Sequence, residues 1–193
     1  MRLGRIAVSV VVLLIMLGSE LVGQAPRRSV AEINAAKNDF DYLIGDWEFT
    51  VSNKVYGDAR GYWGVVSLHD GAQIVDQFRI VNEKGETTFS TTTLRSFNRV
   101  RGQWEYVSTD FGSGLRKTGV CHRIGSEMHI DQRAESPNRT RLRIRYYNIQ
   151  PDRFTWTADR SEDDGKTWQK DYQIIEARRV GPARSLGRIP TAG

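Results

Sequence analysis

The sequence predicts an all-β fold: a single antiparallel up-and-down barrel of about ten strands, preceded by a short N-terminal helix. After Gly45, apolar and polar residues alternate through most of the chain, and this period of two is typical of half-buried strands. Turn-forming sequences separate the alternating segments at short intervals, so neighbouring strands are expected to pair as consecutive hairpins. Because an open meander would leave two exposed edges, closure into a barrel is favoured.

Residues 1–25 have the layout of a secretory signal peptide. Arg2 and Arg5 precede an almost wholly apolar run over residues 6–18, and small residues follow. The run is short for a membrane span, which needs about 20 residues. We therefore expect an exported protein of the periplasm or the extracellular space, with no stable membrane span after processing. An uncleaved N-terminal anchor stays open as the alternative.

Residues 29–43 are predicted to form the short helix. Ser29 is placed to cap it, and Glu32 follows three positions later as in a capping box. One apolar stripe runs along this segment and comprises Val30, Ile33, Ala36, Phe40 and Leu43. The period changes to two after Gly45, where the first strand is expected to begin.

Ten segments are predicted as strands, separated by turns such as NEKGE at 82–86 and DFGSG at 110–114. They cover residues 46–56, 60–69, 72–82, 87–97, 102–109, 114–123, 127–134, 140–149, 153–160 and 167–178. These strands place one barrel domain at residues 26–180. The arginine-containing end of the chain, residues 181–193, is expected to be a flexible basic tail.

Charge and cysteine content narrow the class of protein. The formal net charge of +5 is modest, and we expect no nucleic-acid partner. The only cysteine, Cys121, has no partner for an internal disulfide and is predicted to be a small buried residue. Stability is therefore expected to come from a packed core.

The alternation also predicts which side chains face the interior. Aromatic residues are frequent on these faces, which include Trp168, Tyr172 and Ile174 on the last strand. Because a ten-stranded barrel can leave a cavity, an aromatic-lined site for a small hydrophobic or amphipathic molecule is predicted. The predicted ligand-binding residues are Phe49, Phe78, Trp104, Tyr106, Phe154 and Trp156. An envelope scaffold whose core is filled, with no ligand, stays open as an alternative.

The stretch FDYLIGDWEF at 40–49 resembles the Gly-x-Trp opening of the lipocalin and calycin superfamily. The resemblance implies that Gly45 and Trp47 close one end of the barrel. It also implies that an arginine of the last strand, Arg178 or Arg179, packs across the tryptophan.

More narrowly, residues 38–180 resemble an exported bacterial family of calycin-like barrels of unknown function. Members of that family share a similar opening and a late hairpin of the form S-x-D-x-G-K-T-W, which is present here at residues 161–168. Such barrels typically bind small apolar molecules, so the resemblance implies a binding role without identifying the ligand.

The hairpin sequence SEDDGKTW also fits the Asp-box pattern. Ser161 and Asp163 are placed to accept backbone N–H hydrogen bonds, Gly165 permits a positive φ, and Trp168 is expected to pack beneath the turn. This chemistry predicts a structural role for the motif.

Asp76 is predicted to face the interior, between Ile74 and Phe78. A buried carboxylate needs a partner, or its pKa rises. An inward arginine such as Arg60 or Arg116 is the expected partner. The alternative is that Asp76 is a catalytic acid or base in an enzyme that acts on a small anionic substrate. The sequence leaves the question of enzyme activity open and favours a binding protein.

Arginine occupies every second position over residues 139–145. If ESPNR is the preceding hairpin turn, Asp131 lies opposite Arg143 and Glu135 lies opposite Arg139. Cross-strand charge pairs on a solvated face would then account for the pattern.

The same register places Arg133 opposite Arg141, and this pair is like-charged. Like charges directly opposite each other are unfavourable, so a nearby anion stays open at this position.

We expect no metal and no cofactor. The three histidines, His69, His122 and His129, do not have the spacing of a zinc site. Nitrobindin-type barrels hold haem through a histidine late in the chain, whereas the last histidine here precedes several strands. The sequence leaves the oligomeric state open between a monomer and a homodimer.

Overall fold

A computed structural model describes residue 31 and residues 35–68, 72–137 and 139–185 of the chain. The expected signal peptide at 1–25 and the expected helix cap at Ser29 and Glu32 lie outside this part. Of the predicted helix, the described residues show helical Ala35 and Ala36, followed by a turn and a 3-10 helix at Asp41–Leu43.

Ten strands form the barrel, and their bounds differ from the predicted ones by a few residues at most. They are β1 (Gly45–Asn53), β2 (Gly57–Leu68), β3 (Gln73–Val81), β4 (Thr87–Asn98), β5 (Gln103–Asp110), β6 (Arg116–Ile124), β7 (Glu127–Ala134), β8 (Arg141–Tyr147), β9 (Arg153–Ser161) and β10 (Gln169–Gly181). The predicted all-β class and strand number are therefore confirmed.

The sheet closes because β1 pairs with both β2 and β10. Every other barrel strand pairs antiparallel with its neighbours in sequence, which gives an up-and-down topology. Trp47 of β1 is the Cα partner of both Trp63 on β2 and Arg179 on β10. This architecture fits a calycin-like barrel.

A short eleventh strand follows the barrel. In β11 (Arg184–Ser185) the two residues pair in parallel with Val66 and Ser67 of β2. The segment expected to be a flexible tail from residue 181 therefore begins with residues that pair in the sheet, and residues 186–193 lie outside the described part. Among the described residues, no helix combines the length and apolar character needed to cross a bilayer.

The prediction that Trp168 and Ile174 face the interior with Tyr172 is wrong. A register shift between Gln169 and Gln173 breaks the alternation of β10. Tyr172 is buried, whereas Ile174 is half-buried and Ile175 takes the interior position. Trp168 packs on the outer wall, with the Arg143 guanidinium 4.0 Å from its ring centroid.

The Asp-box hairpin has the predicted structural role. The Ser161 hydroxyl accepts the Gly165 N–H at 2.8 Å, and Asp163 accepts the Thr167 N–H at 2.9 Å. The Trp168 indole N–H donates to the Gly165 carbonyl at 2.9 Å. The turn is thus fixed by its own side chains.

The predicted charge pairs at the β7–β8 hairpin are only partly confirmed. Asp131 is the Cα partner of Arg143, as predicted. The pairing of Glu135 with Arg139 is wrong, because Arg139 has a left-handed backbone, with φ 50°, and lies before β8 begins. Glu135 instead contacts Arg116 at 2.6 Å.

Candidate ligand-binding site

One end of the barrel is closed by Trp47 and Arg179. The guanidinium of Arg179 lies 4.1 Å from the Trp47 ring centroid, a cation–π contact. Its nitrogens also donate to the carbonyls of Ile44, Tyr42 and Pro151 at 2.6–2.7 Å. Arg179 therefore ties the segment before β1 to the last barrel strand.

Of the two arginines that the resemblance offered for this role, Arg179 has it and Arg178 does not. Arg178 points outward and pairs with Glu48 on the surface. Gly45 has φ 138°, and a side chain there would collide with the Arg179 guanidinium. Glycine is therefore needed where the chain enters β1.

Aromatic residues fill the barrel behind this closure. Phe40 packs edge-on against Trp104 at 5.3 Å, and Trp47 packs against Phe154 at 4.7 Å between ring centroids. The Trp104 indole donates to the carbonyl of Ala36 at 2.8 Å. The residues before β1 thus form a plug that seals this end.

Beyond the plug, the interior contains a chamber of about 150 Å³. Its wall combines aromatic and aliphatic side chains with polar ones. The main wall residues are Trp63, Asp76, Phe78, Thr93, Arg95, Tyr106, Ser108, Ile130, Gln132, Ile144, Tyr146, Trp156 and Ile175.

The chamber adjoins a wider vestibule of about 600 Å³ at the opposite end of the barrel. The two spaces share wall residues, namely Phe78, Phe89, Lys117, Gln132, Leu142 and Gln173. The loop after β1 contributes Tyr56, and Leu115 borders β6. The shared residues place the vestibule next to the chamber, on the side away from Trp47 and Arg179.

The six predicted ligand-binding residues are all buried, but only three of them line the chamber. Phe78, Tyr106 and Trp156 line the chamber. Trp104 and Phe154 instead pack against the plug, through Phe40 and Tyr42 respectively. Phe49 stacks on Phe78, with 4.5 Å between ring centroids, and supports the wall from behind.

An ion pair of Asp76 and Arg95 lies in the chamber wall. The side chains are 1% and 5% exposed, so both charges are removed from bulk water. The second carboxylate oxygen of Asp76 accepts the Trp63 indole N–H at 3.0 Å, and Arg95 is 3.4 Å from the Tyr146 hydroxyl. Asp76 is thus held by a hydrogen bond from Trp63 and by the ion pair with Arg95.

The partner of Asp76 is therefore Arg95, and the expectation of Arg60 or Arg116 is wrong. Arg60 is exposed on β2, and Arg116 pairs with Glu135 on the surface. These contacts with an arginine and an indole indicate a structural role for the Asp76 carboxylate. Nothing in its contacts singles it out as a proton acceptor.

Arg95 has donors left for a ligand. Among the described residues, its buried Nε has no hydrogen-bond partner, and its Nη1 contacts Asp76 only through the ion pair. An unpaired buried donor costs about 1–3 kcal/mol, so an acceptor on a bound molecule would be stabilised there. Thr93 and Ser108, which are Cα partners on β4 and β5, add hydroxyl groups to the same chamber.

The tyrosines of the interior are hydrogen-bonding groups in their neutral form. Tyr106 donates its hydroxyl to Gln132. Burial raises the pKa of Tyr42, Tyr106 and Tyr146 above the usual value for tyrosine. The chamber therefore offers the neutral phenols of Tyr106 and Tyr146 beside the ion pair of Asp76 and Arg95.

A second ion pair, Lys117 with Asp110, lies where the chamber meets the vestibule. The Lys117 ammonium is 5.7 Å from the Phe89 ring centroid. Nearer the rim, Arg160 donates to the Tyr172 hydroxyl at 3.0 Å. The vestibule thus has charged groups at its border and apolar residues between them.

Sequence reasoning missed Trp63 and Arg95. Trp63 lies in the alternating part of β2, where Gly61, Trp63 and Val65 are all buried, so the period of two was the signal that could have found it. Arg95 is buried while its neighbour Leu94 is 37% exposed, which inverts the usual hydropathy rule.

Within the described residues, no three or more His, Cys, Asp or Glu side chains are grouped as a metal site would require. His129 contacts Glu127 at 2.9 Å on the outer wall. His69 lies outside the described part.

Comparisons with known proteins give distant structural matches only. No family model and no curated protein matches the chain. A redesigned β-barrel is 11% identical with a TM-score of 0.43, covering 74% of this chain and 96% of its own. A redesigned β-barrel bound to DFHBI is 10% identical with a TM-score of 0.40, covering 74% and 99%.

A protein of unknown function from the DUF3598 family of Nostoc punctiforme PCC 73102 is 9% identical with a TM-score of 0.20. That match covers 75% of this chain and 99% of the other. At such scores the matches carry no argument about function, and the architecture rests on the observed strand pairing.

Proposed function

We propose that the protein binds a small amphipathic molecule inside the barrel and does so after export from the cytoplasm. The observation that carries the proposal is the polar-centred chamber of about 150 Å³, which adjoins a vestibule of about 600 Å³. A scaffold with a filled core would not need this space.

The chamber wall supports a ligand that is mostly apolar. Trp63, Phe78 and Trp156 present aromatic surface, and burial of apolar area contributes about 25 cal/mol per Å². Ile144 and Ile175 line the same space. An apolar body of the ligand therefore has favourable contacts along the chamber.

The polar groups of the chamber support a ligand with at least one hydrogen-bond acceptor. Arg95 offers its unpaired Nε, and Ser108 and Thr93 can donate or accept. Because Asp76 already neutralises Arg95, the site does not require a charged ligand. A carbonyl, ether or hydroxyl oxygen fits this chemistry.

The test compares the full chain with a variant in which the chamber is filled. Ser108→Phe places a ring in the chamber, and Val107→Phe, which adds the same ring on the outer face of β5, is the matched control. We expect native mass spectrometry of protein from its natural host to show a retained small molecule in the wild type and in Val107→Phe, and none in Ser108→Phe.

A titration with 8-anilinonaphthalene-1-sulfonate provides an independent readout. Its fluorescence should rise with the wild type and the control, and a retained or added ligand should compete with it. Absence of a bound mass together with equal dye response in all three proteins would contradict the proposal. The periplasmic or culture-medium location is tested separately, by fractionation of the host.

A further inference from the structure

A separate cleft of about 210 Å³ lies on the outer wall of the barrel, at the β7–β8 hairpin. It is lined by Arg133, Ala134, Arg139, Arg141 and Asp164. Three guanidinium groups thus face one carboxylate, which leaves a charge excess at a single surface position. None of these residues lines the chamber, and of the five only Ala134 also borders the vestibule.

The charge excess is built into the strand register. Arg133 and Arg141 are Cα partners on β7 and β8, and like charges placed opposite each other are destabilising. Within the described part of the chain, Arg133 has no ion-pair partner. Of the acidic residues nearest to it in sequence, Glu135 contacts Arg116, and Asp131 is the Cα partner of Arg143.

Asp164 offsets the positive charge of the cleft only from a distance. Its carboxylate oxygens are 3.7 Å from an Arg139 nitrogen and 3.9 Å from an Arg141 nitrogen. Both distances exceed those of a hydrogen bond, so neither carboxylate oxygen accepts a hydrogen bond from these arginines. The cleft therefore has more guanidinium N–H donors than carboxylate acceptors.

The Asp-box hairpin holds Arg141 in position. Arg141 donates to the Asp164 carbonyl at 3.3 Å, and its side chain is 23% exposed. A side chain at Gly165 would place its Cβ 3.0 Å from the same Arg141 nitrogen, so glycine leaves room for this contact. The turn fixed by Ser161 and Asp163 thus preorganises one guanidinium of the cleft.

We propose that Arg133, Arg139 and Arg141 form a binding site for a phosphate group. Planar guanidinium groups match the geometry of phosphate oxygens and can bind them through two parallel hydrogen bonds. Three arginines and Asp164 sum to +2, and a phosphate dianion supplies −2. Free phosphate and the phosphate of an ester headgroup share this chemistry.

The first test is a calorimetric titration of the full chain with inorganic phosphate at low ionic strength. Arg133→Gln and Arg141→Gln are expected to weaken binding at least roughly tenfold, the loss of one charge-assisted contact. Arg145→Gln is the matched control, because Arg145 lies on the same face of β8 but outside the cleft, with its guanidinium 4.3 Å from the Tyr147 ring centroid. No binding by the wild type, or equal binding by all four proteins, would overturn the proposal.

Asp164→Asn separates a binding role from a purely structural one. Removal of the competing carboxylate should tighten phosphate binding, whereas a structural partner of the arginines would only lower the melting temperature. In phosphate-free buffer, the melting temperature of Arg133→Gln should equal or exceed that of the wild type. Added phosphate should raise the melting temperature of the wild type by more than that of the variant. A variant that melts lower in both buffers by the same amount contradicts the site.

The source of the phosphate is distinguished by two further probes. Glycerol 3-phosphate tests a soluble ester, and vesicles of phosphatidylcholine with phosphatidic acid test a lipid headgroup. Binding to inorganic phosphate and the soluble ester without sedimentation on the vesicles assigns the cleft to free anions. Sedimentation that is lost in Arg141→Gln assigns it to a headgroup.

Discussion

Asp76 and Arg95 place two opposite charges inside an otherwise aromatic barrel, and neither charge can be removed alone without consequence. With Asp76 replaced by Asn, the Arg95 guanidinium would stay buried without a counter-charge. We expect Asp76→Asn to lower the free energy of unfolding by about 3–5 kcal/mol, measured by urea denaturation.

The double variant Asp76→Leu/Arg95→Met is the control, because it removes both charges and should recover most of that loss. An enzyme with Asp76 as its acid or base would behave differently. It would lose turnover in Asp76→Asn while its unfolding midpoint stayed near that of the wild type, which would contradict the structural assignment.

Arg179 and Arg178 are adjacent in sequence, but they are expected to contribute differently to the free energy of unfolding. Arg179→Met removes a cation–π contact worth about 0.5–2 kcal/mol and the hydrogen bonds to three carbonyls. We expect a loss of at least about 2 kcal/mol in urea denaturation, since bonds from charged donors are among the stronger ones.

Arg178→Met removes only an exposed pair with Glu48, which is worth about 0–1 kcal/mol. Equal losses in the two variants would show that the closure of the barrel does not depend on Arg179.

Among the elements, the β9–β10 hairpin has a stability that depends on pH. The Thr167 hydroxyl and N–H, with Ser161, donate to Asp163 and hold its pKa at about 2, below the ordinary 3.8. Because the folded pKa is the lower one, the stabilisation is complete above 3.8 and is lost as the pH falls towards 2. Asp163→Asn should therefore be less stable than the wild type at neutral pH.

The measurement is urea denaturation of both proteins from pH 6 down to the lowest pH at which they fold. The difference between wild type and Asp163→Asn should shrink through the acidic range. A difference that stays constant with pH would contradict the assignment to the Asp163 carboxylate.

The elements also show what sequence patterns can and cannot predict. In β1, burial alternates residue by residue, so the period of two located this strand within a few positions. In β10, the register shift after Gln169 changes which side chains face inward, and it depends on cross-strand pairing that no local pattern records.

The candidate site was predictable only in part, for the same kind of reason. Phe78, Tyr106 and Trp156 were found because aromatic residues at alternating positions usually face a barrel interior. Arg95 was missed because a buried arginine is acceptable only beside Asp76, and their adjacency follows from the three-dimensional arrangement of β3 and β4. Pairing between distant positions thus decides the polar part of the site.

For the whole molecule, Cys121 reports on opening of the barrel. Burial raises the pKa of its thiol to about 12, and the side chain is 4% exposed. At pH 8 we expect a thiol-reactive disulfide reagent to modify it at least roughly a hundredfold more slowly than in denatured protein, because the thiolate and access to it are both suppressed.

A bound ligand should slow this modification further, since ligands that bind only the folded state stabilise it. Val120→Ala changes the position next to Cys121 on the outer face of β6. It is the control for effects of a nearby substitution on the rate at which Cys121 is modified. Modification of the native protein at the rate of the denatured chain would show that the barrel wall opens locally at β6.

The pairing of β1 with β10 also constrains the order in which the protein can fold. Glu48 and Arg178 meet across this seam although they are 130 positions apart, so the first strand has only one of its two neighbours until the last one has been synthesised. Contacts of such separation slow folding. A chain still attached to the ribosome would therefore carry an unclosed sheet with two unpaired edges. Chaperones that hold nascent chains are expected to matter more for this protein than for one whose neighbours in space are neighbours in sequence.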